Sequence, residues 1–285
     1  MYTTLISVDQ LQTLRASGQP LMVFDCSFEL MQAQQGDAQY LAGHIPGALR
    51  ADLDRHLSAK GAPDAASGGR HPLPSRPALA AWLGSVGLTP EHQVVVYDRQ
   101  GVNYCGRLWW MLKWLGHDAV AVLDGGLSAW TAAGGAMEAG TGPAQPSTTY
   151  VPGLEKAGLV DAEAVAKQLG KPAQTLIDAR GAPRFRGDIE PLDPVAGHIP
   201  GALNRPFTLN FDARGLFKPA AELRAEFMAL LGQRDPATVV HHCGSGVSAI
   251  PNVLAMEVAG LGRTRLYAGS WSDWCSDPAR PVAQG

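Results

Sequence analysis

The sequence predicts an α/β protein made of two tandem domains, each a mainly parallel sheet flanked by helices. The first observation is a repeat: the segment Ala42–Leu49, AGHIPGAL, recurs without change as Ala196–Leu203. The second is an alternation of short β-branched runs with amphipathic helical stretches such as Ala78–Val86 and Ala220–Leu231. This alternation is typical of α/β units built on a parallel sheet.

Further landmarks occur in the same order in both halves. An apolar strand ending on aspartate comes first, a second strand with a glycine-containing turn follows, and a Gly-to-Trp segment comes last. The matching ranges are 23–25 with 176–178, 94–102 with 239–247, and 125–130 with 269–274. Residues 136–158 are rich in Gly, Pro, Ser and Thr, as in an extended linker. We therefore predict a first domain at 1–138, a linker at 139–156 and a second domain at 157–285.

Composition narrows the functional classes. The 285-residue chain has 17% charged residues and a net charge of −3, so nothing points to nucleic acid as a partner. The N-terminal segment lacks a cationic region followed by a long apolar core, so we expect neither a signal peptide nor a membrane anchor. The four cysteines show no CxxC spacing, which argues against a zinc site or a disulfide framework. A reducing compartment, the cytoplasm, is therefore expected.

The candidate nucleophile is Cys243, which follows a short strand-like run that begins with Val239 and Val240 and opens a glycine-rich turn. A helical pattern, 249–259, comes directly after the turn. Ligands of parallel sheets bind beyond the carboxyl ends of the strands, and Cys243 has that position. Backbone N–H groups of a turn and a helix start favour negative charge, and such an environment lowers the pKa of a thiol. The alternative is a buried structural cysteine before a glycine-rich connection.

The two halves differ at this position. Asp98 stands in the first half where Cys243 stands in the second, so we expect the first domain to be inert in thiol chemistry. The first half also carries an additional polar segment, Arg50–Pro77, which contains His71. A long loop confined to the inert half is a candidate for function, and we expect it to reach the other half's site.

Four features carry a resemblance to a known family: the two HIPGA segments, LDGG followed by Trp130, CGSGVS at 243–248 and YAGSWSDW at 267–274. On these features, the chain resembles the two-domain sulfurtransferases of the rhodanese superfamily. The resemblance covers about Ile6 to Val282. It implies that Cys243 takes sulfur from a donor as a persulfide and passes it to a thiophilic acceptor. Cyanide, a small thiol and thioredoxin are candidate acceptors, and no cofactor or metal is implied.

The resemblance also implies a serine–histidine–aspartate set, which falls here on Ser245, His71 and Asp54. With two members from the first half, the centre is expected in a cleft between the halves. The alternative is that His71 is an ordinary loop histidine and Asp54 a solvated charge. The persulfide is expected to be held by the turn itself, that is by Gly244, Gly246, Val247 and Ser248.

Arg184 matches the substrate arginine of the family, and Arg186 is a second candidate. A guanidinium suits the role because its planar fork binds carboxylate or sulfonate oxygens bidentately. The alternative is that both are loop arginines bonded to backbone or water. By the same resemblance, the loop at 243–248 implies 3-mercaptopyruvate as donor, whereas the stretch 188–195 lacks the second cation of typical mercaptopyruvate enzymes. Thiosulfate as donor therefore stays open.

The sequence argues against two other functional classes. A cysteine phosphatase needs an arginine where Ala249 stands, which argues against phosphoryl transfer. A non-catalytic sulfur carrier or regulatory module is disfavoured by the presence of Cys243, Ser245 and Arg184. His44 and His198 occur in both repeats and are expected to be structural. His241 and His242 point to opposite faces of a strand, so at most one can face the cysteine.

Overall fold

The computed structural model describes residues 1–142 and 144–285 of the chain. They form two compact units. The first unit comprises Met1–Ala59, Pro74–Lys156 and Arg214–Leu216, and the second comprises Lys60–Leu73, Ala157–Ala213 and Phe217–Gly285. The segment Lys60–Leu73 thus belongs to the second unit although it lies in the first half of the sequence. The domain boundaries 1–138, 139–156 and 157–285 stay a prediction, and residue 143 of that linker lies outside the described residues.

The first unit is built on a five-stranded parallel sheet with the order β1-β5-β4-β2-β3. Its strands are β1 (Leu5–Ile6), β2 (Leu21–Asp25), β3 (Leu49–Arg50), β4 (Gln93–Tyr97) and β5 (Val120–Leu123). Its helices are α1 (Val8–Ala16), α2 (Gln35–Ala42), α3 (Arg76–Ser85), α4 (Cys105–Trp114) and α5 (Gly126–Ala132).

The second unit repeats this plan, with a five-stranded parallel sheet in the order β6-β10-β9-β7-β8. Its strands are β6 (Gly158–Val160), β7 (Thr175–Asp178), β8 (Leu203–Asn204), β9 (Val239–His242) and β10 (Arg265–Tyr267). Its helices are α6 (Ala162–Lys167), α7 (Ala182–Arg186), α8 (Ala220–Leu231), α9 (Ile250–Val258) and α10 (Ser270–Trp274). The identical strand order in both units confirms the predicted duplicated α/β architecture.

Local sequence explains where several helices begin. The Ser7 hydroxyl accepts the backbone N–H of Gln10, and the side-chain oxygen of Gln10 accepts the backbone N–H of Ser7; this capping box starts α1. The Ser75 hydroxyl likewise caps α3, and a proline in its first turn needs no intrahelical N–H bond. The predicted helix at 220–231 is confirmed, and those at 78–86 and 249–259 are confirmed with slightly different ends.

Each unit has its own apolar core. In the first unit, α4 is buried along its whole length, which confirms the prediction that Trp109, Trp110 and Trp114 are core residues. In the second, Val240 of β9 packs with Trp271 and Trp274 of α10. No helix in the described part of the chain has the length and apolarity to cross a membrane.

Candidate functional site

Cys243 lies directly beyond the carboxyl end of the central strand β9 and is only 2% exposed. Its backbone is held on both sides by the segment that begins α10. The N–H of Cys243 donates to the hydroxyl of Ser270, and its carbonyl accepts the N–H of Trp271 at 3.0 Å. The thiol is therefore attached to rigid elements, which is the arrangement that a precise site requires.

The turn after Cys243 depends on glycine at two positions. Gly246 has a φ of +73°, and a Cβ there would overlap the carbonyl oxygen of Ala268. A Cβ at Gly244 would stand 3.2 Å from Nη2 of Arg70 and 3.5 Å from Nη1 of Arg184. Gly246 permits the tight turn, and Gly244 leaves room beside two guanidinium groups.

The matching turn of the first unit shows what such a turn does with a negative charge. The carboxylate of Asp98 accepts four backbone N–H bonds of 2.8–3.0 Å, from residues 100, 102, 104 and 105. Burial raises the pKa of Asp98, and these four amides lower it again only in part. The turn thus gathers its amides around the side chain at the position equivalent to Cys243.

The turn of the second unit has the same length between the strand and the following helix. Positions 245 and 247 correspond to positions 100 and 102, whose amides bind Asp98. Within residues 1–142 and 144–285, the N–H groups of Ser245 and Val247 donate no hydrogen bond. Gly246 and Ser248, the other predicted turn residues, do make interactions of their own. Amides near Cys243 are therefore available to an anion.

Ser245 and His71 are brought together in the second unit. Nδ1 of His71 lies 2.8 Å from the hydroxyl oxygen of Ser245, and both side chains are buried. The N–H of the preceding residue, Arg70, donates to the hydroxyl of Ser272, which fixes this end of the segment Lys60–Leu73. Asp54, the third predicted member of the set, belongs to the first unit, where its N–H donates to Asp52. Its catalytic role stays a prediction.

The two predicted arginines have different surroundings. Arg184 lies beside Gly244, as described above, and donates three hydrogen bonds to the carboxylate of Glu190. Arg186 is half-exposed and donates two bonds to Asp188, a pair that surface exposure makes weak. The described contacts connect Arg184, and not Arg186, with the turn at Cys243.

Two buried carboxylates face the arginines of the turn. Asp193 accepts from Arg70 at 2.5 Å and from Arg184 at 3.3 Å, and its side chain is only 4% exposed. Burial raises the pKa of Asp193, and the neighbouring guanidinium of Arg70 offsets this only partly. For Glu190, burial acts in the same direction, but bonds from Arg184 and backbone amides outweigh it and lower the pKa. The guanidinium groups are thus already paired.

The two histidines before Cys243 lie in the interior of the second unit. His241 and His242 are fully buried, and Nε2 of His241 lies 3.3 Å from the sulfur of Met256. His242 lies 3.9 Å from Asp178, which in turn binds Arg180 through both carboxylate oxygens. Burial lowers the pKa of His241 to about 3, with the positive charges of His242 and Arg205 adding to the effect.

The histidines of the repeated octapeptide are held alike in both units. His44 bonds the carbonyl of Tyr40 at 2.8 Å and stacks on its ring. His198 does the same with Phe185, at 2.8 Å and with the rings stacked. Because the first unit, which has Asp98 in place of a cysteine, keeps the arrangement, these contacts support a structural role for both histidines.

Sequence reasoning did not single out Arg70, Glu190 or Asp193. The only signal for Arg70 was its place next to His71. In the stretch 188–195 the sequence shows only that a cation is lacking, and the spacing of its acidic residues does not predict their pairing with arginines.

Comparison with known proteins agrees with this fold. The model of the rhodanese-like domain matches residues 7–133 and again residues 161–277. A probable 3-mercaptopyruvate sulfurtransferase of Pseudomonas aeruginosa is 46% identical over 99% of this chain and 98% of its own length. A putative thiosulfate sulfurtransferase of Mycobacterium tuberculosis is 40% identical over 99% of this chain and 97% of its own.

The structure of a 3-mercaptopyruvate sulfurtransferase from Leishmania major is also similar. It superposes with a TM-score of 0.81 at 31% identity, over 96% of this chain and 74% of that one. The chain belongs to the rhodanese-like family, as a sulfurtransferase with two tandem domains. The resemblance inferred from the HIPGA and CGSGVS segments is thereby confirmed.

Proposed function

We propose that the chain transfers sulfur from 3-mercaptopyruvate to a thiophilic acceptor through a persulfide on Cys243. The observation that carries the choice of donor is the buried hydrogen bond between His71 and Ser245, two residues after the nucleophile. The names of the P. aeruginosa relative and of the L. major structure support the same donor.

In the first half-reaction the Cys243 thiolate attacks the sulfur of mercaptopyruvate. A sulfur–sulfur bond forms, the carbon–sulfur bond breaks, and its electron pair leaves on the enolate of pyruvate. That enolate must gain a proton, and the Ser245 hydroxyl with His71 behind it forms a short proton path. A histidine suits this task because its ordinary pKa lies near neutrality.

In the second half-reaction the acceptor attacks the outer sulfur of the persulfide. Cyanide leaves as thiocyanate, or a thiolate leaves as its own persulfide, and the Cys243 thiolate is restored. No electrons are gained or lost overall, so the cycle needs no redox cofactor. The acceptor in the cell is a small thiol or thioredoxin in this proposal, and the reaction belongs to the cytoplasm, since all four cysteines are free thiols.

The covalent intermediate is an anion, and the guanidinium groups beside Gly244 are already paired with Glu190 and Asp193, so backbone amides are proposed to stabilise it. The four amides around Asp98 in the first unit support this role for the turn Gly244–Ser248 of the second. Oriented backbone dipoles in a water-poor site stabilise such charge effectively. Arg184 is proposed to bind the donor's carboxylate, with Arg186 as the less favoured candidate because its contacts lead to Asp188.

Thiosulfate is the second candidate donor, and the observation in its favour is the pair of guanidinium groups next to Gly244. With thiosulfate, Cys243 attacks the outer sulfur and the sulfur–sulfur bond of the donor breaks to release sulfite. This leaving group needs no proton, so Ser245 and His71 would have no chemical role.

The deciding experiment measures both half-reactions with both donors. Mass spectrometry of the protein after exposure to donor should show one added sulfur on Cys243, and no addition with either donor would overturn the proposal. We expect kcat/KM for mercaptopyruvate to exceed that for thiosulfate by about tenfold or more, since proton donation contributes at least this much. The opposite ratio would assign thiosulfate as the donor.

A further inference from the structure

Four charged side chains form a cluster beside the turn at Cys243, all within the second unit. Arg70 and Arg184 flank Gly244, and Glu190 and Asp193 pair with them. Both carboxylates are nearly inaccessible, at 3% and 4% side-chain exposure, whereas Arg184 and Arg70 are 20% and 26% exposed. The cations therefore face the solvent side, and the anions lie behind them.

The two carboxylates have different partners, which separates their roles. Glu190 accepts the backbone N–H groups of Leu192 and Asp193 in addition to Arg184 and Arg180, so it shapes its own segment. In the described part of the chain, the carboxylate of Asp193 accepts hydrogen bonds only from the two arginines. Its charge therefore acts on the anion-binding groups and does not hold the backbone.

We propose that Asp193 is a specificity-determining residue, an internal competitor for Arg70 and Arg184 that disfavours doubly charged donors. The inference rests on the proposed function, since it concerns the donor of that same reaction. Arg180, which also donates to Glu190 and binds Asp178 through both carboxylate oxygens, adds one charge of each sign, so the cluster presents no net charge to an incoming donor. A singly charged carboxylate donor can still exchange with Asp193 on one guanidinium. A dianion such as thiosulfate places twice the charge against the same two buried carboxylates.

The consequence is quantitative. The electrostatic energy between a fixed charge and a ligand is proportional to the ligand's charge. Removal of the Asp193 charge should therefore raise the binding of a dianion by the square of the factor found for a monoanion. A gain of about fivefold for a monoanion implies about 25-fold for a dianion at the same site.

Two donors of one chemical type test this: thiosulfate, a dianion, and methanethiosulfonate, a monoanion with the same sulfonyl sulfur. The variant Asp193→Asn keeps the shape of the side chain and removes its charge. At neutral pH and fixed ionic strength, kcat/KM should rise about fivefold for methanethiosulfonate and about 25-fold for thiosulfate. Each donor is compared only with itself in the wild type, so intrinsic reactivity cancels.

The matched control is Glu222→Gln, which removes one carboxylate that is half-exposed on α8 and pairs with Lys218. It should leave both donors unchanged, which excludes an effect of net charge alone. Asp193→Glu, which keeps the carboxylate, should show the wild-type ratio of kcat/KM for the two donors. If Asp193→Asn does not fold, Arg70→Gln gives the opposite test, because kcat/KM for thiosulfate should then fall more than that for methanethiosulfonate.

Equal changes for both donors in the Asp193 variant would overturn the proposal and leave Asp193 a structural residue. This outcome is distinct from failure of the proposed function, which is tested in the wild type. If donor adds no sulfur to wild-type Cys243, the function is wrong. If sulfur is added and the donor ratio is the same in Asp193→Asn, only the specificity role is wrong.

Discussion

The hydrogen bond between Ser245 and His71 makes a prediction that depends on the leaving group. Replacement of Ser245 by alanine removes the hydroxyl and leaves the backbone of the turn intact. With mercaptopyruvate the departing enolate then lacks its proton donor. With thiosulfate the departing sulfite needs none, so the two donors should respond differently to the same substitution.

The size of the effect follows from the surroundings. The Oγ–Nδ1 distance is 2.8 Å and both side chains are buried, so no bulk water takes the place of the hydroxyl. A positioned acid typically contributes 10²–10⁴-fold to the rate. We therefore expect kcat for mercaptopyruvate to fall by about 10²-fold or more, while kcat for thiosulfate changes by less than about threefold.

The assay is single-turnover formation of the Cys243 persulfide with each donor, which isolates the first half-reaction. His71→Asn should show the same donor-dependent loss, and the double variant should be hardly slower than either single variant, because the two groups act as one unit. A similar loss with both donors would refute proton donation and assign Ser245 to the shape of the turn.

Three further predictions concern the nucleophile, the clamp and the acid stability of the second unit. Cys243→Ser should abolish turnover and the sulfur loading seen by mass spectrometry. Cys105→Ser should keep both, because burial raises the pKa of the Cys105 thiol. Residual loading in Cys243→Ser would contradict the assignment of Cys243 as the nucleophile. Arg184→Met should raise KM for mercaptopyruvate by about tenfold or more in steady-state assays, through loss of a charged hydrogen bond, and an unchanged KM would exclude the clamp. His241 stays neutral in the folded chain down to a pKa of about 3 but is protonated near pH 6.5 when unfolded, so stability is lost as pH falls below 6.5. Urea unfolding should therefore show about 1 kcal/mol more loss per pH unit in the wild type than in His241→Gln, and parallel pH profiles would contradict this.

Much of the fold could be predicted because the signals are local. The repeated octapeptide is one contiguous segment that ends on the first residue of β3 or β8, each β-branched run belongs to one strand, and each half carries all the strands of one sheet. The position of Cys243 followed from the same logic, since a residue after a central strand of a parallel sheet must lie at its carboxyl edge.

The electrostatic environment of the site could not be predicted in this way. The contact between Arg70 and Asp193 joins residues more than a hundred positions apart, and no periodicity connects them. The sequence shows that Glu190 and Asp193 are acidic. Their burial and their pairing decide whether they repel a donor or position the arginines that bind it. The placement of Lys60–Leu73 in the second unit is equally a product of tertiary packing.

Asp98 has a consequence for the history of the duplicated chain. A turn that gathers amides around one point leaves them unsatisfied when the point is empty, and buried unsatisfied amides are costly. A carboxylate in place of the thiol supplies a permanent anion, with four bonds already made. After duplication, one copy could thus replace a cysteine, which is charged only as a thiolate or persulfide, by the carboxylate of Asp98. Because burial still raises the pKa of Asp98, the exchange holds the turn in shape at an electrostatic cost, and a thiol is no longer needed in that copy.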